Sequence, residues 1–184
     1  MAETRIWVHG VAFEANFPAD FVELPSLAAG QIRSVERTES GSEFRSAISA
    51  THGFHVSIPS PTILNDFTMR LRRVFIFYDT NGATIRSVRV LDGPRLVRNF
   101  PNLGWSGGHS NSFDASNQLT LTGSQSISNG IGLFVEVDFS GLTQPPGTFS
   151  GIRFSTAGVE LVTGQRLITT IILWFASLFE RQPT

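Results

Sequence analysis

A chain of 184 residues fits one domain, and its 16 Phe and 3 Trp can furnish a sizeable core. A formal net charge of −1 gives no field that would gather nucleic acid or acidic membranes, and neither is expected as a partner. All 14 basic residues are Arg and there is no Cys, which excludes lysine Schiff bases, disulfides, thiolate metal sites and cysteine nucleophiles.

Charged residues are sparse at 16%. That deficit fits an oligomer that hides part of its surface, or a β-rich protein covered by Ser, Thr and Asn. The N-terminal MAETRIWVHG has neither a basic n-region nor an apolar h-region. A cytoplasmic location is therefore the default expectation, with signal-independent export left open.

Along the chain, Phe54, Val56 and Ile58 alternate with His55 and Ser57, the period of a half-buried strand. His52 and His55 lie three apart, which on a strand sends them to opposite faces unless Gly53 forms a bulge. With His9 and His109 the remaining histidines, no cupin-like metal set forms. Arg70, Arg72 and Arg73, with Arg86, Arg89, Arg95 and Arg98, could form a basic strip, but cross-strand pairing with carboxylates is the plainer account.

Val74–Tyr78 is nearly continuously apolar and predicts a central strand covered on both faces. Asp79-Thr80-Asn81-Gly82 then supplies a tight hairpin turn, with Ile85–Leu91 returning as the partner strand up to Asp92-Gly93-Pro94.

Residues 101–117, PNLGWSGGHSNSFDASN, form a long stretch without clear periodicity, of the kind used for binding. An exposed Trp105 flanked by His109, Asn111, Asp114 and Asn117 would suit a sugar or other small ligand. Alternatively, Trp105 and Phe113 tuck back to plug one end of the domain. Ser106, Ser110 and Ser112 beside His109 and Asp114 supply the residue types of a hydrolytic triad. No strand-to-helix nucleophile elbow surrounds them, and no catalysis is expected. Asp79, Asn81, Asp92 and the loop's Asn and Asp residues could offer calcium ligands, but their spacing matches no calcium loop and turn formation explains them. No cofactor or metal is expected.

Leu119 and Leu121 alternate with Thr120 and Thr122, and Ser128-Asn129-Gly130 marks a turn. Ile131, Leu133, Val135, Val137 and Phe139 then share one face of the clearest strand in the sequence. A second turn at Pro145-Pro146-Gly147 precedes Ile152 and Phe154, which flank Arg153. Short strands with such punctuation to about residue 162 predict an all-β domain: an antiparallel β-sandwich, jelly-roll-like, over 1–163.

From Gly164 the period changes. Leu167, Ile168, Ile171, Ile172, Trp174, Phe175, Leu178 and Phe179 fall within an arc of roughly 160° at helical spacing. This predicts a C-terminal amphipathic α-helix over 164–184, although the β-branched run at 169–172 leaves a strand open. Its polar face carries few basic residues, so a membrane surface is not its expected partner. The helix would dock on its own domain or on other copies of the chain.

Taken together, FHVSIPSPTIL, RRVFIFYDT, VRVLDGPRLV, GHSNSFDASN and GIGLFVEVDF resemble segments of a family of uncharacterised bacterial β-sandwich proteins. The resemblance spans roughly residues 5–160 and implies a jelly-roll-like fold without an assigned activity. The sequence thus leads to two expectations. The first is a non-catalytic structural or assembly protein, a homo-oligomer with the terminal helix at its interface. The second is a carbohydrate- or other ligand-binding module using the 101–117 loop.

Overall fold

The computed structural model describes residues 3–23, 33–65, 67–140, 142–143 and 148–166. In chain order the strands are β1 (Glu3–His9), β2 (Glu14–Ala15), β3 (Val22–Glu23), β4 (Arg33–Thr38), β5 (Gly41–Ser46), β6 (Ser49–Ile58) and β7 (Ile63–Leu64). These are followed by β8 (Phe67–Asn81), β9 (Ala83–Asp92), β10 (Arg95–Phe100), β11 (Gln118–Ser126), β12 (Ile131–Ser140), β13 (Leu142–Thr143) and β14 (Thr148–Arg166). Two single 3-10 turns, Gly10–Ala12 and Pro18–Asp20, join the first three strands.

The strands form two sheets. The larger runs β11-β8-β14-β5-β4-β3, with β1 and β13 also on β14 and β7 on β8; the smaller runs β10-β9-β12-β6-β2. Pairing is antiparallel except between the short β3 and β4. β14 is long enough to serve two partners on one edge: β5 pairs with residues 150–154, and β1 with residues 156–162.

The period-two pattern predicts the inner face of β12 correctly. Ile131, Leu133, Val135, Val137 and Phe139 are buried, opposite Phe54, Val56 and Ile58 of β6. The larger sheet answers with Val74, Ile76 and Tyr78 of β8 and Phe154, Ala157, Val159 and Leu161 of β14. Phe13 and Phe154 stack at 4.1 Å in this layer. The all-β class therefore holds, as two packed antiparallel sheets.

Two expectations are corrected. Asn81-Gly82 does reverse the chain, with Gly82 at φ +63°, but no hairpin results. β8 and β9 lie in different sheets, and Asn81 pairs with Gly151 of β14. The turn carries the chain from one layer to the other. The two-residue hairpin is the next one, where Arg95 pairs back onto Asp92 around Gly93 and Pro94. At the other end, β14 continues extended to Arg166, opposite Phe67, three residues into the segment predicted as helix. Leu167, Ile168, Ile171, Ile172, Trp174, Phe175, Leu178 and Phe179 lie outside the described residues, as does the turn at Pro145-Pro146-Gly147. Among the described residues no helix is long and apolar enough to cross a membrane.

Candidate functional site

The 101–117 loop spans the gap between the layers. Trp105 forms a two-bond bridge with Ile85 of β9, at 2.8 and 3.1 Å, while His109 N–H reaches the Tyr78 carbonyl of β8 at 2.8 Å. Trp105 is only 8% exposed and lies parallel to the Tyr78 ring, 6.4 Å away. The indole is therefore a plug, and the exposed ring that sugar stacking requires is not found at this position.

The loop's polar residues are spent on the loop itself. His109 Nδ1 is 2.6 Å from Asp114 Oδ2, and its Nε2 is 3.0 Å from the Ser106 carbonyl. Two acceptors on one ring favour the imidazolium. The Asp114 hydrogen bond raises the His109 pKa above its ordinary value; burial opposes this and the Ser106 carbonyl supports it. Asp114 is correspondingly held low, first by His109. Asn117 is fully buried and donates to the carbonyls of His109 and Ser112, while its side-chain oxygen accepts from Asp114 N–H. Asn111 is exposed on the loop surface. Ser110 donates to Asp79 Oδ1 at 2.9 Å rather than to His109, so the residues of the supposed triad are close without forming a relay.

What this scaffold delivers is Phe113, which is not tucked inward. It is 48% exposed on the outer face of the larger sheet, beside Trp7 at 39%. In β1 the outward residues are Glu3, Arg5, Trp7 and His9, and the register sets Trp7 against Gly158 and Arg5 against Glu160 of β14. On the far side of β14, Phe75 pairs with Gly158 and Arg73 with Glu160. Gly158 is the floor: a Cβ there would sit 2.2 Å from Trp7 Cε3, so the indole lies across the strand where a side chain would stand. Phe75 supports it at 5.4 Å and 31°, and Phe77 and Phe113 flank it at 5.7 and 5.9 Å. Phe75 is buried although it points away from the inter-sheet core, because these rings cover it.

The next row is ionic. Glu160 is fully buried, and its Oε2 accepts from Arg5 Nε and Nη2 at 3.2 and 3.1 Å. Its Oε1 has no hydrogen bond; Arg72 Nε and Arg73 Nε approach to 3.7 and 3.8 Å. Arg72 also pairs with Glu3. A register shift between Glu160 and Leu161 opposes both Arg72 and Arg73 to one stretch of β14, bringing the two onto one carboxylate. Of the arginines that read as a possible strip, Arg72, Arg73, Arg89 and Arg95 face carboxylates, while Arg70 donates to the Ser124 carbonyl and Arg98 lies over the Phe100 ring.

The smaller sheet uses the same floor device in closed form. Phe134 lies over Gly53, where a Cβ would meet its ring at 2.3 Å, but the Arg89 guanidinium sits over that ring at 4.2 Å. The open groove of about 820 Å³ nearby is bounded by Pro59, Pro61, Leu91 and Phe134. Among the described residues no cation lies over Trp7.

The remaining candidates have structural duties. Asp92 accepts from Ser128 and Asn129 N–H and pairs with Arg95 at 2.8 Å, fixing the 128–130 turn. Burial alone would raise its pKa, but the Asn129 N–H, Arg95 and Ser128 N–H outweigh it and hold the carboxyl low. His52 is buried against Phe21 and Phe139, and His55 faces Glu14 at 3.4 Å on the outer side. The two histidines do not converge. Among the described residues, no group of three or more His, Asp or Glu is placed to hold a metal ion.

Trp7, Arg5 and Glu160 are the residues that sequence reasoning missed. Their signals were present: a Trp on the polar face of the alternating ETRIWVH, a Gly inside a strand, and a lone Glu in an apolar VELV run.

No protein-family model matches the chain, and no curated protein matches it. Among solved structures, an insecticidal delta-endotoxin from Bacillus thuringiensis aligns over 68% of this chain and 20% of that chain, at 15% identity and a TM-score of 0.29. The chain spans about a fifth of that protein's length, and at that score the likeness carries no weight for fold or function.

Proposed function

We propose that the chain is a non-catalytic binding module, a jelly-roll-like sandwich that takes a saccharide on the outer face of its larger sheet. The observation that carries this reading is Trp7, laid flat over Gly158 with Phe113 angled beside it and, among the described residues, no cation above. Such a ring offers the apolar face of a sugar a flat surface, and the neighbouring guanidiniums can fix hydroxyls. Catalysis finds no support in the 101–117 loop, where both His109 ring nitrogens are occupied.

Calorimetry on saccharides selected from a glycan array tests the reading. Trp7→Ala should lower affinity by about 2 kcal/mol, roughly 30-fold, while leaving the β-sheet circular dichroism spectrum unchanged. Trp105→Phe, at the buried plug, should leave affinity unaltered. An array without a single hit would refute the proposal.

A second reading, self-assembly through the apolar face of 167–179, is favoured by where β14 delivers the chain. Arg166 lies opposite Phe67, whose other neighbour is Leu64 of β7, and Leu64 and Ile63 are both exposed.

A further inference from the structure

The platform and the ionic row beside it are one surface. Arg5 lies two residues from Trp7 on the same face of β1, about 7 Å away along the strand, comparable to one sugar unit. Its guanidinium lies 5.4 Å from the Phe113 ring centre, so the aromatic and ionic parts meet without a gap.

We infer that the saccharide taken by this face is anionic, a uronate or a sulfated sugar, with its acid group held by Arg5 and Arg72 while a ring stacks on Trp7. The inference rests on the platform reading and adds a ligand class to it.

Three observations support it. Within the ion-pair set, Arg5, Arg72 and Arg73 face two carboxylates, Glu160 and Glu3, leaving one positive charge unmatched. The guanidiniums are also pre-placed. Arg5 spends Nε and Nη2 on the buried Glu160, which orients the plane of the group, and Nη1 makes no hydrogen bond among the described residues. Arg5 and Arg72 keep 45% and 41% of their side chains exposed. A planar guanidinium held on one edge and open on the other suits a carboxylate or sulfate ester. The Phe134 site supplies the contrast: there the cation lies over the ring at 4.2 Å and occupies the face a sugar would need, whereas Arg5 lies over Phe75 and Phe113 at 5.8 and 5.4 Å and, among the described residues, no cation lies over Trp7. Glu160 acts as a positioning residue that fixes the arginines.

The test is calorimetry of the full chain with three tetrasaccharides, namely oligogalacturonate, a heparin-type sulfated oligomer and neutral cellotetraose, at about 0.05 and 0.5 M salt. Wild type should bind one of the acidic probes at least tenfold tighter than the neutral one, with the preference shrinking at high salt. Arg72→Gln should reduce acidic-probe affinity about tenfold and so narrow the gap between acidic and neutral probes, whereas Trp7→Ala should weaken both to a similar degree. Equal affinities for all three probes, untouched by Arg72→Gln, would overturn the acidic preference and leave the platform standing. Acidic binding that survives Trp7→Ala but vanishes with salt would overturn it in favour of a plain anion patch. Failure of wild type to bind any probe would overturn the inference together with the reading beneath it.

Discussion

Trp7 keeps its position only because residue 158 has no side chain. A methyl group at Gly158 would meet the indole at 2.2 Å and lift it from the sheet, exposing Phe75 beneath. Gly158→Ala should therefore cost about 1–3 kcal/mol in urea unfolding and remove saccharide binding in the same protein. The reverse pattern, unchanged stability with full binding, would show that the indole has freedom the geometry denies it. His52 makes a separate residue-scale case. Burial pushes its pKa down, Arg33 adds to this, and Asp20, 3.9 Å from Nδ1, partly opposes it. Its Nε2 is buried without a hydrogen bond. Between the folded pKa and the ordinary histidine value the unfolded chain binds more protons than the folded one, so stability falls as pH drops through that window. Comparing urea midpoints of wild type and His52→Gln over that range should show a shallower acid-side decline in the variant.

At the scale of elements, the 101–117 loop couples a hydrogen-bonded scaffold to the aromatic face. Asn117→Ala would remove a fully buried side chain and leave the part-buried carbonyls of His109 and Ser112 and the N–H of Asp114 without that partner, a cost of about 2–3 kcal/mol, and would free Phe113 from Trp7. The loop also has a working range of pH. His109 is raised by Asp114, so its contribution is complete below the ordinary histidine pKa and is lost as pH rises through the folded value. Asp114 is lowered, so its contribution is lost as pH falls through its own folded value. Protection of the Asp114 amide from exchange, relative to the free amide at the same pH, should be greatest between those limits and fall on either side, and His109→Phe should abolish the alkaline fall. How far such elements could be read in advance depended on what local sequence encodes. The burial of β12 and β6 was legible because alternation is a local property. The turn at Asn81-Gly82 was legible as a reversal but not as a passage between layers, because a turn does not state where the next strand finds its hydrogen bonds. In the loop the residue types were legible and their direction was not. Trp105 and Phe113 look alike in sequence, and only the bridge to Ile85 puts one inside and the other outside.

For the molecule as a whole, the question is what the described domain can do without the segment after Arg166. Among the described residues the cluster between the sheets draws on residues from Phe13 to Leu161, with Phe44, Phe54 and Phe154 in mutual contact and Phe13 stacked on Phe154. A chain ended at Arg166 should accordingly fold to the same two sheets and keep the Trp7 platform. The eight large apolar residues beyond it would, on burial, contribute on the order of 10–20 kcal/mol gross before conformational entropy is subtracted. β14 is described to Arg166, opposite Phe67, which pairs on its other side with Leu64 next to the exposed Ile63, and apolar side chains of that number favour a covered face. Light scattering on size-fractionated protein should accordingly give a multiple of 20.1 kDa for the full chain and a single monomer mass for the chain ended at Arg166. Saccharide affinity per chain should be the same in both. A monomeric full-length protein whose melting temperature drops on truncation would instead place the tail on its own domain, against Ile63 and Leu64, and Ile63→Ser would then reproduce the drop.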